Sequence, residues 1–248
     1  MALVVLFDWD LPLGRCVGVR LASEPSEGNE VDSRRGLPLL DAEWQMTEAL
    51  PPRRRRPWIA GRAAIRIALA REGMEAPAVG HDDRGAPVLP AGCAGSISHK
   101  EVRRADEADA EASWAPGDVA AVALVRREFA ARLGVDVELD RRLSADIASR
   151  VLTGGEETGI AGMDQAMRSR EVLLRFSAKE AIYKAVDPYV RRYVGFKEVG
   201  VTPRPDGSAD VTWHLDPQEN NEGLFDASVL WRRVSGLVVT MARVGRRC

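Results

Sequence analysis

The sequence has few cysteines and few histidines. Its 248 residues include three histidines and three cysteines, Cys16, Cys93 and Cys248. No two cysteines stand in a C-x-x-C spacing and no histidine cluster lies near them, so neither a structural zinc site nor a disulfide framework is indicated. We therefore expect a protein of the reducing cytoplasm.

Long apolar runs and an excess of one charge are also missing. No stretch approaches the roughly 20 apolar residues that span a bilayer, and the apolar start is too short for a signal and has no basic flank. The formal net charge is -2, from 35 basic and 37 acidic residues, which argues against a protein that wraps nucleic acid. Hydrophobic residues at 45% and charged residues at 29% are proportions typical of a globular chain, in one large domain or two small ones.

The segment from Phe176 to Lys184, FSAKEAIYK, predicts a helix. Alanine, lysine and glutamate favour helices, and no glycine or proline interrupts the segment. Glu180 and Lys184 lie four residues apart, which fits an ordinary solvated ion pair on a helix as well as a functional site. A second row, also with a four-residue spacing, is apolar and predicts a buried face: Leu174, Ala178, Ile182 and Val186.

The segment from Gly134 to Leu139, GVDVEL, predicts a β-strand because its apolar and acidic residues alternate. We expect the valines to be buried and Asp136 and Glu138 to be presented on the other face. Two carboxylates from a strand and a third from a helix can supply the oxygen ligands that Mg²⁺ prefers, and they leave positions for water and a substrate phosphate.

Four consecutive arginines, Arg53 to Arg56, lie between prolines. Pro57 fits the first turn of a helix that runs to about Arg71, and Arg62 and Arg66 continue a cationic edge along it. Basic groups at a helix start suit an anion. The run is equally consistent with a solvated charged surface or a nonspecific nucleic-acid patch.

The segment from Gly95 to His99, GSISH, predicts a short strand with Ile97 inward and Ser96 and Ser98 outward. Hydroxyl groups and an imidazole at a strand end can hydrogen-bond a phosphate. A lone histidine is more often a structural hydrogen-bonding group, so both interpretations stand at this point.

Taken together, these segments resemble the 4′-phosphopantetheinyl transferases of the surfactin- and enterobactin-synthetase type. That family carries a G-[IV]-D-[IL]-E segment and, about forty residues later, an [FW]-[SC]-x-K-E-x-x-x-K segment. Here they read GVDVE and FSAKEAIYK. The family's Ser-His segment matches GSISH, and its A-G-R helix turn matches the three residues ending at Arg62.

The resemblance implies an α+β fold of two similar halves related by a pseudo-twofold axis. Each half would be a small antiparallel sheet packed against a long helix, with the active site in the cleft between them. We expect residues 1–133 to bind the 3′-phosphate of coenzyme A, and residues 134–248 to carry the magnesium site and the catalytic helix. We also expect a monomer.

The resemblance further implies the reaction. The phosphopantetheine arm of coenzyme A would move to a serine hydroxyl of an apo acyl or peptidyl carrier protein, releasing adenosine 3′,5′-bisphosphate. Carriers of polyketide and nonribosomal peptide synthases are favoured. The carrier would meet a rim that includes Arg191, Arg192 and Tyr193.

The site residues follow from the same resemblance. Mg²⁺ would be bound by Asp136, Glu138 and Glu180. Glu180 would also take the serine proton, directly or through water, and Lys184 would neutralise or protonate the departing phosphate. Coenzyme A would be bound by Arg54, Arg62, Ser98, His99 and Lys179.

Two alternatives from other classes remain. One is a coenzyme A or nucleotide-binding module without activity, against which the intact set of Asp136, Glu138, Glu180 and Lys184 argues. The other is a nucleic-acid-binding protein that uses Arg53 to Arg56.

Overall fold

The computed structural model describes residues 1–23, 36–103, 114–128, 130–141, 145–215 and 225–246. The chain divides into two compact units, Met1–Arg127 and Glu128–Cys248. Within the described residues, no helix has both the length and the apolar character needed to cross a membrane.

The first unit is built on a four-stranded antiparallel sheet with the order β1-β2-β4-β3. Its central strand β4 is buried along nearly its whole length, which is why its sequence is an unbroken apolar run rather than an alternating one. The elements are β1 (Leu3–Leu11), β2 (Gly14–Leu21), α1 (Asp41–Glu48), α2 (Pro52–Arg71), β3 (Cys93–Glu101) and β4 (Val119–Arg127).

Helix α2 packs across β2, β4 and β3, with Ala60, Ala64 and Ala68 in the buried core. It begins at Pro52, so Pro57 lies inside the helix and the prediction that the helix starts there is wrong. Pro52 takes the first helical position, where a missing N–H is tolerated. The ring of Pro57 is buried, so packing offsets the one helical hydrogen bond that it removes.

The second unit is built on a five-stranded antiparallel sheet with the order β5-β9-β8-β7-β6. Its strands are β5 (Ala131–Leu139), β6 (Val199–Pro203), β7 (Ser208–Trp213), β8 (Phe225–Val234) and β9 (Leu237–Arg246). The helices are α3 (Ala145–Val151), α4 (Gly154–Gly159) and α5 (Gln165–Val190), and a 3₁₀ turn covers Phe196–Glu198. The predicted α+β fold, with an antiparallel sheet and a long helix in each half, is confirmed. The predicted boundary after residue 133 falls inside β5, and the two units divide earlier, after Arg127.

Helix α5 packs on β5 and β9. The Asp164 side chain caps its start by accepting a hydrogen bond from the backbone N–H of Met167 at 2.8 Å. The four residues of the predicted apolar row are at most 1% exposed, as expected: Leu174, Ala178, Ile182 and Val186.

Candidate active site

Gly134 sets the distance between β5 and α5. A Cβ atom at this position would lie 1.8 Å from the backbone carbonyl oxygen of Ala181 on α5. Only glycine, which has no Cβ, permits so close an approach between a strand and a helix. Helix α5 therefore packs directly against the face of β5 that carries Asp136 and Glu138.

Asp136 is consequently buried under α5, with 5% of its surface exposed. The prediction that the carboxylates face away from the buried side is therefore wrong for Asp136. Its Oδ2 accepts a hydrogen bond from Ser177 Oγ at 2.9 Å, and its Oδ1 accepts one from Lys184 Nζ at 3.0 Å. Lys184 also donates to the carbonyl oxygen of Val135 at 2.9 Å. The strand and the helix therefore meet at one carboxylate.

Glu180 belongs to the same electrostatic cluster. Burial raises the pKa of Glu180, the carboxylate of Asp136 raises it further, Lys184 lowers it, and Glu138 raises it again. The carboxylates are thus close enough to repel one another, which is the situation that a bound cation relieves. Three hard oxygen donors fit Mg²⁺ in their chemistry.

The predicted three-carboxylate arrangement is nevertheless not formed as a ligand set. Among the described residues, no three or more His, Cys, Asp or Glu side chains are placed to hold a metal ion together. Both oxygens of Asp136 are used by protein groups instead, one by Ser177 and one by Lys184. A cation at Oδ1 would therefore compete with Lys184 for this carboxylate.

Lys179 has a structural position rather than the predicted coenzyme A-binding one. It is 2% exposed, and its ammonium donates to the carbonyl oxygens of Val151 at 2.7 Å and Phe196 at 2.9 Å, and to Glu156 Oε2 at 2.6 Å. A lysine has three N–H donors, so none is left for a pyrophosphate. Burial lowers the pKa of Lys179, while its hydrogen bond to Glu156 raises it.

The four arginines at the start of α2 divide into two pairs. Arg55 donates to the carbonyl oxygens of Leu50 and Glu48, and Arg56 donates to those of Ala22 and Gly117. Arg53 and Arg54 are exposed at a helix start that, among the described residues, has no side-chain cap. Half of the run therefore stabilises the first unit, which disfavours a continuous nucleic-acid patch.

The predicted cationic edge along α2 is also mostly internal. Arg66 forms a forked ion pair with the fully buried Glu43, with Nη2 to Oε1 at 2.9 Å. Arg62 is 6% exposed, donates from Nη2 to the carbonyl oxygen of Gly80 at 3.0 Å and lies over the ring of Trp58. Burial lowers the pKa of Arg62 to about 10. Its Nε is buried without a hydrogen-bond partner among the residues that the structure describes.

Ser98 and His99 lie on opposite faces of the first sheet. Strand β3 pairs regularly with β4 along its length, so consecutive side chains alternate between faces. Ser96 and Ser98 are 5% and 7% exposed, so the outward orientation predicted for them is wrong. Ile97 faces α2, where a Cβ on Gly61 would lie 2.9 Å from its Cγ2. His99 shares that face and is exposed.

Comparison with known proteins agrees with this arrangement of segments. The 4′-phosphopantetheinyl transferase superfamily model matches residues 132–240, and the model of the transferase N-terminal domain matches residues 42–105. The chain is 33% identical to 4′-phosphopantetheinyl transferase Npt of Nocardia iowensis over 198 residues, which are 76% of this chain and 81% of that protein.

The chain belongs to the 4′-phosphopantetheinyl transferase family. It is also 30% identical to transferase Svp of Streptomyces mobaraensis over 198 residues, 78% of this chain and 73% of that protein. A solved holo-[acyl-carrier-protein] synthase from Thermotoga maritima is 25% identical with a TM-score of 0.37, covering 46% of this chain and 63% of that one. The family predicted from the four segments is confirmed.

Two buried side chains beside Asp136 in this phosphopantetheinyl transferase, Ser177 and Thr240, are not among the site residues predicted from the sequence. Ser177 stands inside the FSAKE segment, and its position three residues before Glu180 places both on one side of α5. Thr240 lies directly opposite Asp136 on the neighbouring strand β9. In the sequence, Thr240 is the one hydroxyl residue within the apolar run LVVTMA. Because a buried polar group requires a hydrogen-bond partner, this position indicates a second polar group nearby.

Proposed function

We propose that the chain transfers the 4′-phosphopantetheine arm of coenzyme A to a serine hydroxyl of an apo carrier protein. Adenosine 3′,5′-bisphosphate is the second product. The observation that carries the proposal is the cluster of Asp136, Glu138, Glu180 and Lys184 in a chain of this family. We further propose carriers of polyketide and nonribosomal peptide synthases as substrates, and a cytoplasmic monomer.

The step is a phosphoryl transfer. The serine oxygen forms a bond to the phosphorus that bears the pantetheine arm, and the bond from that phosphorus to the bridging oxygen of the pyrophosphate breaks. The bridging oxygen leaves with the adenosine bisphosphate. The serine proton goes to Glu180, directly or through water.

Lys184 is proposed to stabilise the leaving phosphate. Its ammonium is held between the Asp136 carboxylate and the Val135 carbonyl oxygen, and its side chain is 27% exposed. An anion can therefore reach it. A positive charge placed where negative charge develops lowers the barrier.

Mg²⁺ would be held by Asp136, Glu138 and Glu180. When bound, it would neutralise the charge of the pyrophosphate and act as a Lewis acid. The protein's own contribution is to hold these carboxylates on two elements whose spacing Gly134 determines.

Arg54 is the proposed contact for the coenzyme A phosphates in the first unit. It is exposed beside Arg53 in the first turn of α2, where the helix dipole already favours an anion. We also propose contacts from Arg62, Ser98 and His99. Because Ser98 and His99 face opposite sides of the sheet, only one of the two side chains is expected to reach a given phosphate.

The decisive experiment is to incubate the protein with coenzyme A, Mg²⁺ and a panel of apo carrier proteins and to weigh the carriers by mass spectrometry. We expect a mass gain of one phosphopantetheine on at least one carrier, lost on chelation of the metal. Glu180→Gln should lower the rate by about 10²- to 10⁴-fold, the usual contribution of a general base.

Glu157→Gln is the matched control because Glu157 is 55% exposed and pairs only with Arg168 among the described residues. It should transfer at the wild-type rate. Binding of coenzyme A without a mass gain on any carrier would instead favour the binding module, and full activity of Glu180→Gln would remove Glu180 from the mechanism.

A further inference from the structure

Two buried hydroxyl groups stand beside Asp136. Ser177 Oγ lies 2.9 Å from Asp136 Oδ2 and 2.9 Å from Thr240 Oγ1. Both Ser177 and Thr240 are fully buried. Thr240 reaches the pair from β9, where it is the register partner of Asp136. Three elements therefore meet at this carboxylate: β5, α5 and β9.

The direction of the two hydrogen bonds is determined by proton counting. Asp136 is paired with the Lys184 ammonium and accepts hydrogen bonds as a carboxylate. Ser177 must therefore donate its only hydroxyl proton to Oδ2. Since a hydroxyl has one donor, the bond between the two hydroxyls must be donated by Thr240 to Ser177 Oγ.

The two oxygens of Asp136 consequently differ. Oδ2 accepts a hydrogen bond from the buried Ser177 hydroxyl, which in turn is hydrogen-bonded to Thr240. The position of Oδ2 is therefore fixed. Oδ1 accepts a hydrogen bond from Lys184, whose side chain is 27% exposed. Oδ1 can therefore exchange Lys184 for another cation without breaking the buried hydrogen bond between Ser177 and Oδ2.

We propose that Ser177 and Thr240 are positioning residues that orient Asp136 for a divalent cation, a proposal that rests on the function proposed above. The hydroxyl pair fixes the rotation of the carboxylate so that Oδ1 faces the position now taken by Lys184. Groups that orient a ligand in this way typically contribute about 10- to 100-fold to metal affinity. Ser177 and Thr240 thus set the metal affinity without touching the metal.

Mn²⁺ binding to the full-length protein without coenzyme A, followed by electron paramagnetic resonance, tests the proposal. Thr240→Val has nearly the same shape as threonine and lacks only the hydroxyl. We expect it to weaken Mn²⁺ binding about tenfold, and Ser177→Ala to weaken it by about 10- to 100-fold. Thr240→Ser, which keeps the hydroxyl, should restore the wild-type affinity.

Thr47→Val is the matched control. Thr47 is a buried threonine, 4% exposed, that donates to the carbonyl oxygen of Glu43 in the first unit. It should leave Mn²⁺ binding unchanged. In transfer assays, Thr240→Val should need more Mg²⁺ for half-maximal rate, while its KM for coenzyme A at saturating Mg²⁺ stays at the wild-type value.

Three results would overturn the proposal. They are wild-type Mn²⁺ affinity in both Thr240→Val and Ser177→Ala, equal weakening in Thr240→Ser and Thr240→Val, and equal weakening in Thr47→Val. Should Thr240→Val not fold, Ser177→Ala carries the same test. A wild-type protein that binds Mn²⁺ through these residues but modifies no carrier would refute the proposed function and leave the positioning role standing.

Discussion

A single methyl group added at Gly134 tests how α5 is placed. The Cβ of Gly134→Ala would lie 1.8 Å from the carbonyl oxygen of Ala181 and 3.0 Å from the backbone nitrogen of Ala185. Both atoms belong to the helix backbone and cannot rotate away. Restoring an ordinary contact requires β5 and α5 to separate by roughly 1.6 Å.

A separation of this size should affect both activity and stability. It takes Ser177 and Lys184, now 2.9 and 3.0 Å from the oxygens of Asp136, beyond hydrogen-bonding distance. A misplacement of about 1 Å can reduce a rate by roughly 10²-fold. Overpacking lowers the free energy of unfolding by about 1–3 kcal/mol, and the reduced entropy of the unfolded chain offsets about 0.4–1 kcal/mol of this. We expect a net loss of about 1–2 kcal/mol.

The assay is urea unfolding together with carrier modification by mass spectrometry. Gly245→Ala is the control, because Gly245 is a buried glycine in strand β9 of the same sheet whose added Cβ would lie 3.5 Å from its nearest neighbour. It should unfold and react like the wild type. A Gly134→Ala protein with wild-type stability and rate would refute the close packing of β5 against α5.

Three further predictions concern charged groups. Folding raises the pKa of Glu180, so the metal-free folded protein binds that proton more tightly than the unfolded chain does, and its unfolding free energy should fall as pH rises from the unfolded to the folded pKa. Urea titrations at several pH values should show that Glu180→Gln lacks this fall. Lys179→Met should lose about 3–5 kcal/mol of stability because it leaves the buried Glu156 carboxylate without its cation. Wild-type stability with a raised KM for coenzyme A would instead support phosphate binding by Lys179. Arg54→Ala should raise the KM for coenzyme A without a change in stability. Arg55→Ala should lose on the order of 1 kcal/mol of stability through its two carbonyl contacts. A loss of stability in Arg54→Ala together with a raised KM for coenzyme A in Arg55→Ala would contradict the division of the four arginines into two pairs.

Much of this fold can be predicted from the periodicity of apolar residues in the sequence. A four-residue apolar spacing indicated α5 and its buried row, and strict alternation indicated β5. These are local signals, because a side chain's position around a helix or along a strand follows from its place in the sequence. The segment order was enough to indicate the family.

Burial of the polar residues could not be predicted in the same way. Lys179 and Lys184 stand in one segment and look equivalent, yet Lys179 meets Val151, Glu156 and Phe196 from three other parts of the chain. Such contacts depend on tertiary packing, which one segment does not encode. The role of Thr240 likewise depends on the register between β5 and β9, two strands separated by most of the second unit.

The difference between the two lysines has a chemical consequence. The side chain of Lys184 is 27% exposed and that of Lys179 only 1%. An amine-reactive acylating reagent should therefore label Lys184 in the folded protein and reach Lys179 only after unfolding. Peptide mapping of the labelled protein would then report the state of the Lys184 amine and the integrity of the second unit from the same sample.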